Sequence, residues 1–382
     1  MKDTVIKGNG KSRIIKAPLD MPTTFEAWRT QLLAGTAYLD IGLNTDTTGT
    51  NAGCDVIGTA QSKNNLLDDT TKAALELSQT DPTVNHALYA LYALSQKTQP
   101  AELHVLVGSG VTVTATLGTK SLSATAGSDG WAILYPAAFG NWTLSATISG
   151  STVTKTFTID AIAVYYTALA TLESLSWPVV ASVSESGMAS KLWSVGDTKT
   201  LTVNGVTYTA VILGFNHDTK TAGGKAGITF QLQNCLATTY PMEATNINKN
   251  GWTGCVMRQT TMATLLTQLP AALQSSIKQV NKLTSAGNQS ATINTTADKL
   301  FLLSEIEVFG SVTNSKAGEG TQYDYYKAGN SKIKTVNGSA YYWWERSPRG
   351  SGTTNFCYVN DNGGAYNYDA SGSYGVSFGF CV

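Results

Sequence analysis

The spacing of apolar residues changes from helical to strand-like near residue 100. Before that point, Val84, Leu88, Leu91 and Leu94 lie on one face of a helix that starts at Asp81-Pro82, and residues 23–26 form a capping box for a second helix. After it, runs such as GVTVTATLG and STVTKTFTID alternate between glycine-rich turns, as strands do. The pattern predicts a mixed and helical N-terminal region over residues 1–98.

Residues 99–163 contain short strands and turns, and Ser128-Asp129-Gly130 is one such turn. Several short alternating strands over about 60 residues are typical of a small immunoglobulin-like β-sandwich, which would act as a spacer. Trp131 and Trp142 are expected to fill its core.

Residues 164–382 combine both patterns and predict one α+β domain. Asn204-Gly205 suits a type I′ turn between two strands, and 227–236 is a further strand. A helix over 258–280 is expected to break at Pro270, and 299–310 to form a buried strand followed by a turn. The whole chain is therefore a multidomain α+β protein, ending in several short strands.

Charge and length exclude some function classes. The formal net charge is zero and 14% of residues are charged, so no basic field favours nucleic acid. No apolar run approaches the roughly 20 residues that span a membrane, and the N-terminus lacks the apolar core of a signal peptide. These features predict synthesis in a cytoplasm without membrane insertion.

Residues that could carry catalysis are sparse. The three histidines lie in three different regions, and no nucleotide-binding or metal-binding motif is present, so we expect no enzyme activity, no cofactor and no metal site of the His/Cys type. Calcium stays open, since loop oxygen ligands leave little sequence trace. Five widely spaced cysteines favour buried or free thiols, with a Cys357–Cys381 bridge as the alternative.

The last 34 residues have an unusual composition: residues 349–382 contain no Lys, Glu, Gln, Met or Trp. Codons ending in C or T cannot encode these five types, so randomised adenines in Asn codons would produce such a gap. A Gly-, Tyr- and Ser-rich β segment that disfavours long charged side chains would produce it too. Composition leaves both explanations open.

The tail motifs are YWWERSP (342–348), FC-x-V (356–359) and GVSFGFC (375–381). With KLWSVGDTKTLTVNGVTYTAVILGF and DKLFLLSEIEVFG upstream, they resemble a bacterial and phage family with a C-type-lectin-like fold related to the formylglycine-generating enzymes. Glu345 departs from it, since the family more often has an aliphatic residue there. Members with this tail are frequently variable proteins of diversity-generating retroelements. The first 98 residues resemble the N-terminal part of phage tail-fibre or receptor-binding proteins.

The resemblance implies a variable region over about 341–382, and strand alternation sorts its side chains. The scaffold is expected to include Trp343, Arg346, Cys357, Val359, Val376, Phe378 and Phe380, with Arg346 as a buried structural charge. Phe356 falls on the Tyr358 side, where a bulge would explain it. The ligand-binding side chains are expected to be Arg349, Ser351, Thr353, Thr354, Tyr358, Asn360, Asp361, Tyr366, Tyr368, Asp369 and Tyr374. The alternative is that the four tyrosines among them are half-buried strand residues.

The resemblance therefore implies a phage or prophage receptor-binding protein of the virion tail fibre, with a diversified surface for host attachment. The implied partners are a host cell-surface protein or glycan and other phage tail proteins, and we expect a homotrimer. Two alternatives stay open: a bacterial surface adhesin with the same domain, and an enzyme related to formylglycine generation that would use Cys357 and Cys381.

Overall fold

The computed structural model describes residues 101–382 and, earlier in the chain, the strands of 2–8, 11–17, 40–44 and 55–57. The chain divides into two compact units, one of Met1–Glu102, Tyr135–Gly140 and Thr158–Val164, the other of Leu103–Leu134, Asn141–Phe157 and Tyr165–Val382. The helices predicted at the capping box and over 82–96 lie outside the described residues, as does Cys54.

The early strands form one antiparallel sheet in the order β1-β2-β3-β4. Its strands are β1 (Lys2–Gly8), β2 (Lys11–Ala17), β3 (Asp40–Asn44) and β4 (Asp55–Ile57). β1 and β2 pair along their whole length, from Lys2 opposite Ala17 to Gly8 opposite Lys11.

Seven strands follow between residues 102 and 168 and form two sheets, in the orders β10-β9-β6-β7 and β11-β5-β8. They are β5 (Glu102–Leu106), β6 (Thr112–Leu117), β7 (Lys120–Thr125), β8 (Trp131–Leu134), β9 (Gly140–Ile148), β10 (Ser151–Ile159) and β11 (Val164–Ala168). Alternate apolar side chains are buried, among them Leu103, Val105, Val113, Trp142 and Leu144. The predicted turn at 128–130 is present.

Trp131 is an exception to the predicted core. Its side chain is half-buried, and it packs edge-on against the exposed Tyr166, with ring centroids 5.8 Å apart. Trp142, in contrast, is fully buried as expected.

The remaining strands belong to the C-terminal part of the chain. They are β12 (Thr198–Val203), β13 (Val206–Phe215), β14 (Ile228–Leu232), β15 (Val280–Ser285), β16 (Ile293–Asp298), β17 (Leu300–Phe301), β18 (Lys334–Val336), β19 (Ser339–Tyr341), β20 (Trp343–Pro348), β21 (Asn355–Val359), β22 (Ala365–Asp369) and β23 (Gly379–Cys381). The largest sheet has the order β12-β13-β14-β23-β17, and a second sheet has the order β20-β21-β22.

The β12–β13 hairpin confirms the predicted turn. Val203 pairs with Val206, and the two residues between them have positive φ angles, 47° at Asn204 and 78° at Gly205. A type I′ turn requires positive φ at both central positions, which Asn and Gly tolerate best.

Helices between residues 101 and 382 are short. They are α1 (Trp177–Glu185), α2 (Ala189–Leu192), α3 (Gly251–Gly254), a π-helix (Met257–Met262), α4 (Ala263–Thr267), α5 (Ala271–Ser276), α6 (Glu305–Phe309) and α7 (Asp324–Lys327). Pro270 breaks the 258–280 segment as predicted and stands at the start of α5.

The prediction for 299–310 is wrong in its second half. β17 ends at Phe301, and α6 follows where a turn was expected. Ser304 caps this helix, since its hydroxyl accepts from the Glu307 N–H while the Glu307 carboxylate accepts from the Ser304 N–H. The capping box therefore outweighed the strand-like apolar run.

The apolar end of the chain lies inside the fold. β23 pairs with both β14 and β17, so it is an interior strand of the largest sheet. Phe380 stacks on Phe230 at 5.4 Å between ring centroids, and Trp177 of α1 meets both rings edge-on. This burial explains why residues 376–382 tolerate so few polar side chains.

Candidate functional site

The three-stranded sheet carries most of the predicted site. β21 is its central strand, with Trp344 opposite Tyr358 on one side and Tyr366 opposite Tyr358 on the other. Phe356 pairs with Tyr368 in an unbroken β21–β22 register. The bulge expected near Phe356 lies on its other side, in β20: Phe356 pairs with Pro348 and not with Arg346, because the β20–β21 register shifts after Trp344.

One face of this sheet collects aromatic side chains, and we call it the tyrosine face. Cross-strand partners share a face in an antiparallel sheet, so Tyr358, Tyr366 and Tyr368 come together, and a bridge between Tyr240 and Tyr374 brings Tyr374 beside them. Its members are Tyr341, Tyr342, Trp344, Tyr358, Tyr366, Tyr368 and Tyr374.

The rings of the tyrosine face contact one another. Tyr358 stacks on Tyr374 at 5.4 Å and on Tyr366 at 6.1 Å between centroids, and Trp344 meets Tyr374 edge-on at 4.9 Å. Aromatic pairs of this kind contribute about 0.5–1.5 kcal/mol beyond their buried area. The face is consequently a packed layer whose outermost rings are held in place by the rings beneath them.

Exposure separates these rings into two levels. Tyr366 and Tyr368 are 53% and 48% exposed, whereas Tyr358 is 7% exposed. The prediction that Tyr358 is presented outward is thus corrected: its neighbours cover it, and this burial, followed by the nearby Tyr342, raises its pKa. Tyr341, Tyr342 and Tyr374 are half-buried.

The remaining predicted ligand-binding residues also differ in solvent exposure. Ser351, Thr353, Thr354 and Asp361 are exposed, and Arg349, Asn360 and Asp369 are half-buried. Asp361 lies at the tip of the β21–β22 hairpin, where its N–H donates to the Asn360 side chain at 2.9 Å. This turn joins β21 and β22, the two strands that carry Tyr358, Tyr366 and Tyr368.

Asparagine side chains hold the loops beside the tyrosine face. The Asn248 amide is fully buried and donates to the carbonyls of Gly352 at 3.0 Å and Asn355 at 2.8 Å. Asp369 accepts from Asn355 at 3.3 Å and from Asn246 at 3.1 Å. Sequence reasoning missed Asn246 and Asn248, because they lie about 100 residues before the loops they hold and belong to no motif.

Arg346 ties the strand β20 to the interior. It is fully buried, and its guanidinium makes a bidentate pair with Glu307, with 2.9 Å between Nη2 and Oε1. It also donates to the Leu302 carbonyl at 2.9 Å and the Thr284 hydroxyl at 2.9 Å. The planar fork of donors suits this arrangement, and it joins four separate segments around one side chain.

Lys282 extends this contact into what we call the charge network, defined by Asp218, Lys282, Glu307 and Arg346. Its ammonium is buried and lies 2.7 Å from both Asp218 and Glu307. Burial alone would raise the pKa of both carboxyls, but Lys282 and its neighbours outweigh it and lower both pKa values, that of Asp218 well below its usual range. Two acids and two basic side chains are therefore paired inside the fold, and both acids are held ionised.

Glu345 differs from its neighbour Arg346. Its side chain is completely buried, and neither carboxylate oxygen has a hydrogen-bond partner within residues 101–382. Burial, followed by the charges of Glu305 and Glu319, raises the pKa of Glu345 well above its usual range, so the side chain is held neutral. This is the position where the resembling family more often has an aliphatic residue.

Two further buried acids flank this position. Glu305 accepts hydrogen bonds from the N–H groups of Thr313, Asn314 and Ser315 and so holds that loop against α6. Glu319 accepts from the Ser347 hydroxyl and the Ser285 N–H, and burial raises its pKa to about 7.

The cysteines give no support to a thiol-based reaction. Cys235, Cys255, Cys357 and Cys381 are free and buried, so the alternative of a Cys357–Cys381 bridge is wrong. Burial raises the pKa of Cys357 and Cys381 well above the usual range and leaves little reactive thiolate.

Within residues 101–382, no group of three or more His, Cys, Asp or Glu side chains is placed to hold a metal ion. No helix in this described part is long and apolar enough to cross a membrane.

Comparison with known proteins locates one family within the C-terminal part. Residues 227–382 match the model of a family described as a domain of unknown function, DUF6273, and this range contains the whole tyrosine face and three of the four members of the charge network. No curated protein matches the chain.

Proposed function

We propose that this chain is a phage or prophage receptor-binding protein whose C-terminal domain presents an exchangeable, tyrosine-rich surface for attachment to a host cell. The observation that carries the proposal is the pair Tyr366 and Tyr368, which are about half exposed on β22 while the strands behind them are buried. Large apolar rings exposed together on a rigid support are typical of an interaction site.

The chemistry of the exposed side chains supports binding rather than catalysis. Tyrosine offers a large contact area and a hydroxyl at a low cost in conformational entropy, and serine, threonine and asparagine offer adaptable hydrogen bonds. Ser351, Thr353 and Thr354 supply such exposed groups in the loop before β21, whose Thr354 carbonyl accepts from the Ala370 N–H at the end of β22. The buried charge network and the interior strand β23 keep this support fixed while the exposed side chains vary.

The finer fold assignments are part of the proposal. Seven strands in sheets of four and three support an immunoglobulin-like sandwich for residues 99–163 and the strand that follows. The combination of short helices with a five-stranded sheet supports a C-type-lectin-like fold for residues 164–382. In this arrangement, the N-terminal region would attach the protein to the virion tail.

Oligomerisation would strengthen a weak site. Three copies on one fibre raise the effective concentration of the second and third contacts, so avidity exceeds the affinity of one surface. We therefore propose a homotrimer, which light scattering on the full chain tests directly. A particle mass equal to the monomer mass of 40.4 kDa would contradict it.

A binding experiment tests the surface itself. The full chain is passed over an array of purified bacterial surface proteins and cell-wall glycans, together with the double variant Tyr366→Ser/Tyr368→Ser. Tyr166→Ser is the matched control, since this tyrosine is 43% exposed but lies on β11. We expect binding to at least one array member to be lost in the double variant and kept in the control. Binding unaffected by the double variant, or no binding to any member, would overturn the proposal.

Sequencing the DNA around the gene tests the exchange of side chains. A near-copy of the codons for residues 341–382 that differs at adenines, beside a reverse-transcriptase gene, is the expected result. Flanking DNA that carries neither feature would contradict the proposed diversification of these codons. The proposed binding by the tyrosine-rich surface would then be tested by the array alone.

A further inference from the structure

β22 is an edge strand of the three-stranded sheet. It pairs with β21 on one side, and among the strands that the structure describes none pairs with its other side. Its side chains are half-buried or exposed throughout. An unpaired strand edge is a template for another extended chain, and natural proteins usually block it with a proline, a lysine or a bulge. The sequence AYNYD of β22 contains neither proline nor lysine, and its register with β21 is regular.

The hydrogen bonds at the two ends of the ladder show which backbone groups face outward. The Asn360 N–H donates to the Gly364 carbonyl at 2.8 Å, and the Ala370 N–H donates to the Thr354 carbonyl at 2.9 Å. Hydrogen-bonded and non-hydrogen-bonded pairs alternate in an antiparallel ladder. The backbone groups of Ala365 and Asn367 therefore point away from β21, and no hydrogen bond to them is present within residues 101–382.

The side chains beside this edge favour a cationic partner. A strand added to β22 would place every second side chain next to Tyr366 and Tyr368, whose exposed faces attract Lys or Arg. Asp361 is exposed in the turn that precedes β22, which the Asn360 N–H closes by donating to the Gly364 carbonyl. Residues 349–382 contain one cationic residue, Arg349, against two acidic ones, Asp361 and Asp369.

We propose that the free edge of β22 is the docking position of an extended peptide segment of a partner protein, with Lys or Arg at alternate positions over Tyr366 and Tyr368. The inference rests on the proposed binding function and deepens it, because it assigns the ligand to a class and its backbone to a defined edge. The outward groups of Ala365 and Asn367 pair with the peptide backbone and supply affinity, while the tyrosine rings and Asp361 select its charge.

Two peptides test the proposal with the full chain. The first is a nine-residue peptide of alternating Thr and Lys, and the second has Glu in place of Lys. Binding is followed by fluorescence polarisation, and hydrogen exchange of residues 365–369 is measured with and without peptide. We expect the lysine peptide to bind, to weaken as salt rises, and to slow amide exchange in β22, whereas the glutamate peptide does not.

A pair of variants isolates the backbone contact. Ala365→Pro removes one outward N–H at an edge position that tolerates proline, and Ala365→Ser keeps it. We expect the proline variant to bind the lysine peptide about fivefold more weakly, the worth of one hydrogen bond, and the serine variant to bind like the parent. Thermal unfolding checks that both variants are folded. If the proline variant does not fold, hydrogen exchange of the parent chain with and without peptide still tests the contact at β22.

Each of the other possible outcomes would contradict one element of the proposed peptide docking. Binding that is lost in Tyr366→Ser/Tyr368→Ser, yet neither slows exchange in β22 nor responds to Ala365→Pro, would remove the edge contact and leave the tyrosine surface intact. Equal binding of the two peptides would remove the charge selection. No binding of either at about 1 mM, a concentration that detects even very weak complexes, would overturn the proposal. A self-associated form that Ala365→Pro dissociates would identify a second copy of this chain as the occupant instead.

Discussion

The charge network and the tyrosine face lie within the same compact unit, but the charge network buries its polar groups and the tyrosine face exposes part of them. Arg346 and Lys282 are fully buried, and each is fixed by paired acids at short distances. Tyr366 and Tyr368 are about half exposed. The Tyr366 ring contacts Tyr358, and the Tyr368 ring contacts Tyr358 and Tyr374. The comparison teaches that stability and contact are carried by different residues, so one set can vary without the other.

Glu345 contrasts with Arg346 on the same strand. It stands beside Arg346 on β20 and is equally buried, but its carboxylate has no hydrogen-bond partner among the described residues. A buried polar group without a partner destabilises the fold by about 1–3 kcal/mol. The same strand thus contains one satisfied charge and one polar group that weakens it, and substitutions at these two positions should act in opposite directions.

The largest expected effect is at Arg346. Arg346→Met keeps much of the side-chain volume but leaves the Glu307 carboxylate and the Lys282 ammonium with an unbalanced buried charge. Removing one member of a buried ion pair costs about 3–5 kcal/mol, so we expect the free energy of unfolding to fall by that amount. Denaturant titration measures it.

Arg349→Met is the matched control, since this arginine is only half-buried three residues further along. We expect a change within about 0.5 kcal/mol, as for most surface substitutions. Equal losses in the two variants would mean that the charge network does not anchor the domain.

The next effect is a gain at Glu345. Glu345→Leu removes two unpartnered oxygens from an apolar site, and we expect the free energy of unfolding to rise by about 1–3 kcal/mol. The folded pKa of Glu345 lies above that of the unfolded chain. The parent protein therefore loses stability as pH rises from the unfolded pKa of about 4.5 towards the folded pKa. The advantage of Glu345→Leu should accordingly be larger at pH 8 than at pH 5.

Glu345→Gln separates the charge from the polarity at this position. It removes the titration but keeps two buried polar groups, so its stability relative to the parent should rise with pH while staying below that of Glu345→Leu. The charge of Glu319, whose pKa is about 7, helps to raise the pKa of Glu345, so the pH dependence of these differences reports the coupled pair of carboxyls. A Glu345→Leu variant less stable than the parent at both pH values would show that the carboxyl group has a stabilising partner.

Asn248 should give a smaller and more local effect. Asn248→Ala removes the side-chain hydrogen bonds to the Gly352 and Asn355 carbonyls, each worth about 0.5–1.5 kcal/mol. We expect a loss of about 1–2 kcal/mol and faster hydrogen exchange in residues 349–355, with little change in β14. Uniformly faster exchange would instead indicate that Asn248 stabilises the whole domain.

Features governed by neighbouring residues were predictable from the sequence. Asn204-Gly205 specifies a type I′ hairpin, and Pro270 ends a helix, because both act on their own backbone. The strands of the tail followed from alternation in the same way. The helix α6 was missed although Ser304 and Glu307 have capping-box spacing, because the apolar run before them favoured a strand.

Features governed by distant residues were not predictable. The burial of Tyr358 depends on Tyr374, which Tyr240 positions from more than 100 residues earlier in the chain. The raised pKa of Glu345 depends on its burial and on the charges of Glu305 and Glu319, which lie about 40 and 26 residues earlier in the chain. Alternation assigns a side chain to a face of a strand, but what covers that face is decided by the tertiary fold.

The smallest effect on stability is expected at the tyrosine face, and it is the one that most directly tests the separation of stability from contact. Tyr366→Ser/Tyr368→Ser removes two rings that are about half in water, so little buried area is lost. The deeper contacts of Tyr358 with Tyr374 and Trp344 remain. We expect the free energy of unfolding to change by less than about 1 kcal/mol, while Tyr358→Ser, at a buried position, costs about 3 kcal/mol or more. Thermal and denaturant unfolding of the two variants side by side give the answer. A loss in the exposed pair as large as that in Tyr358→Ser would mean that the outer rings are part of the scaffold, and the surface could then not exchange its side chains without loss of the fold.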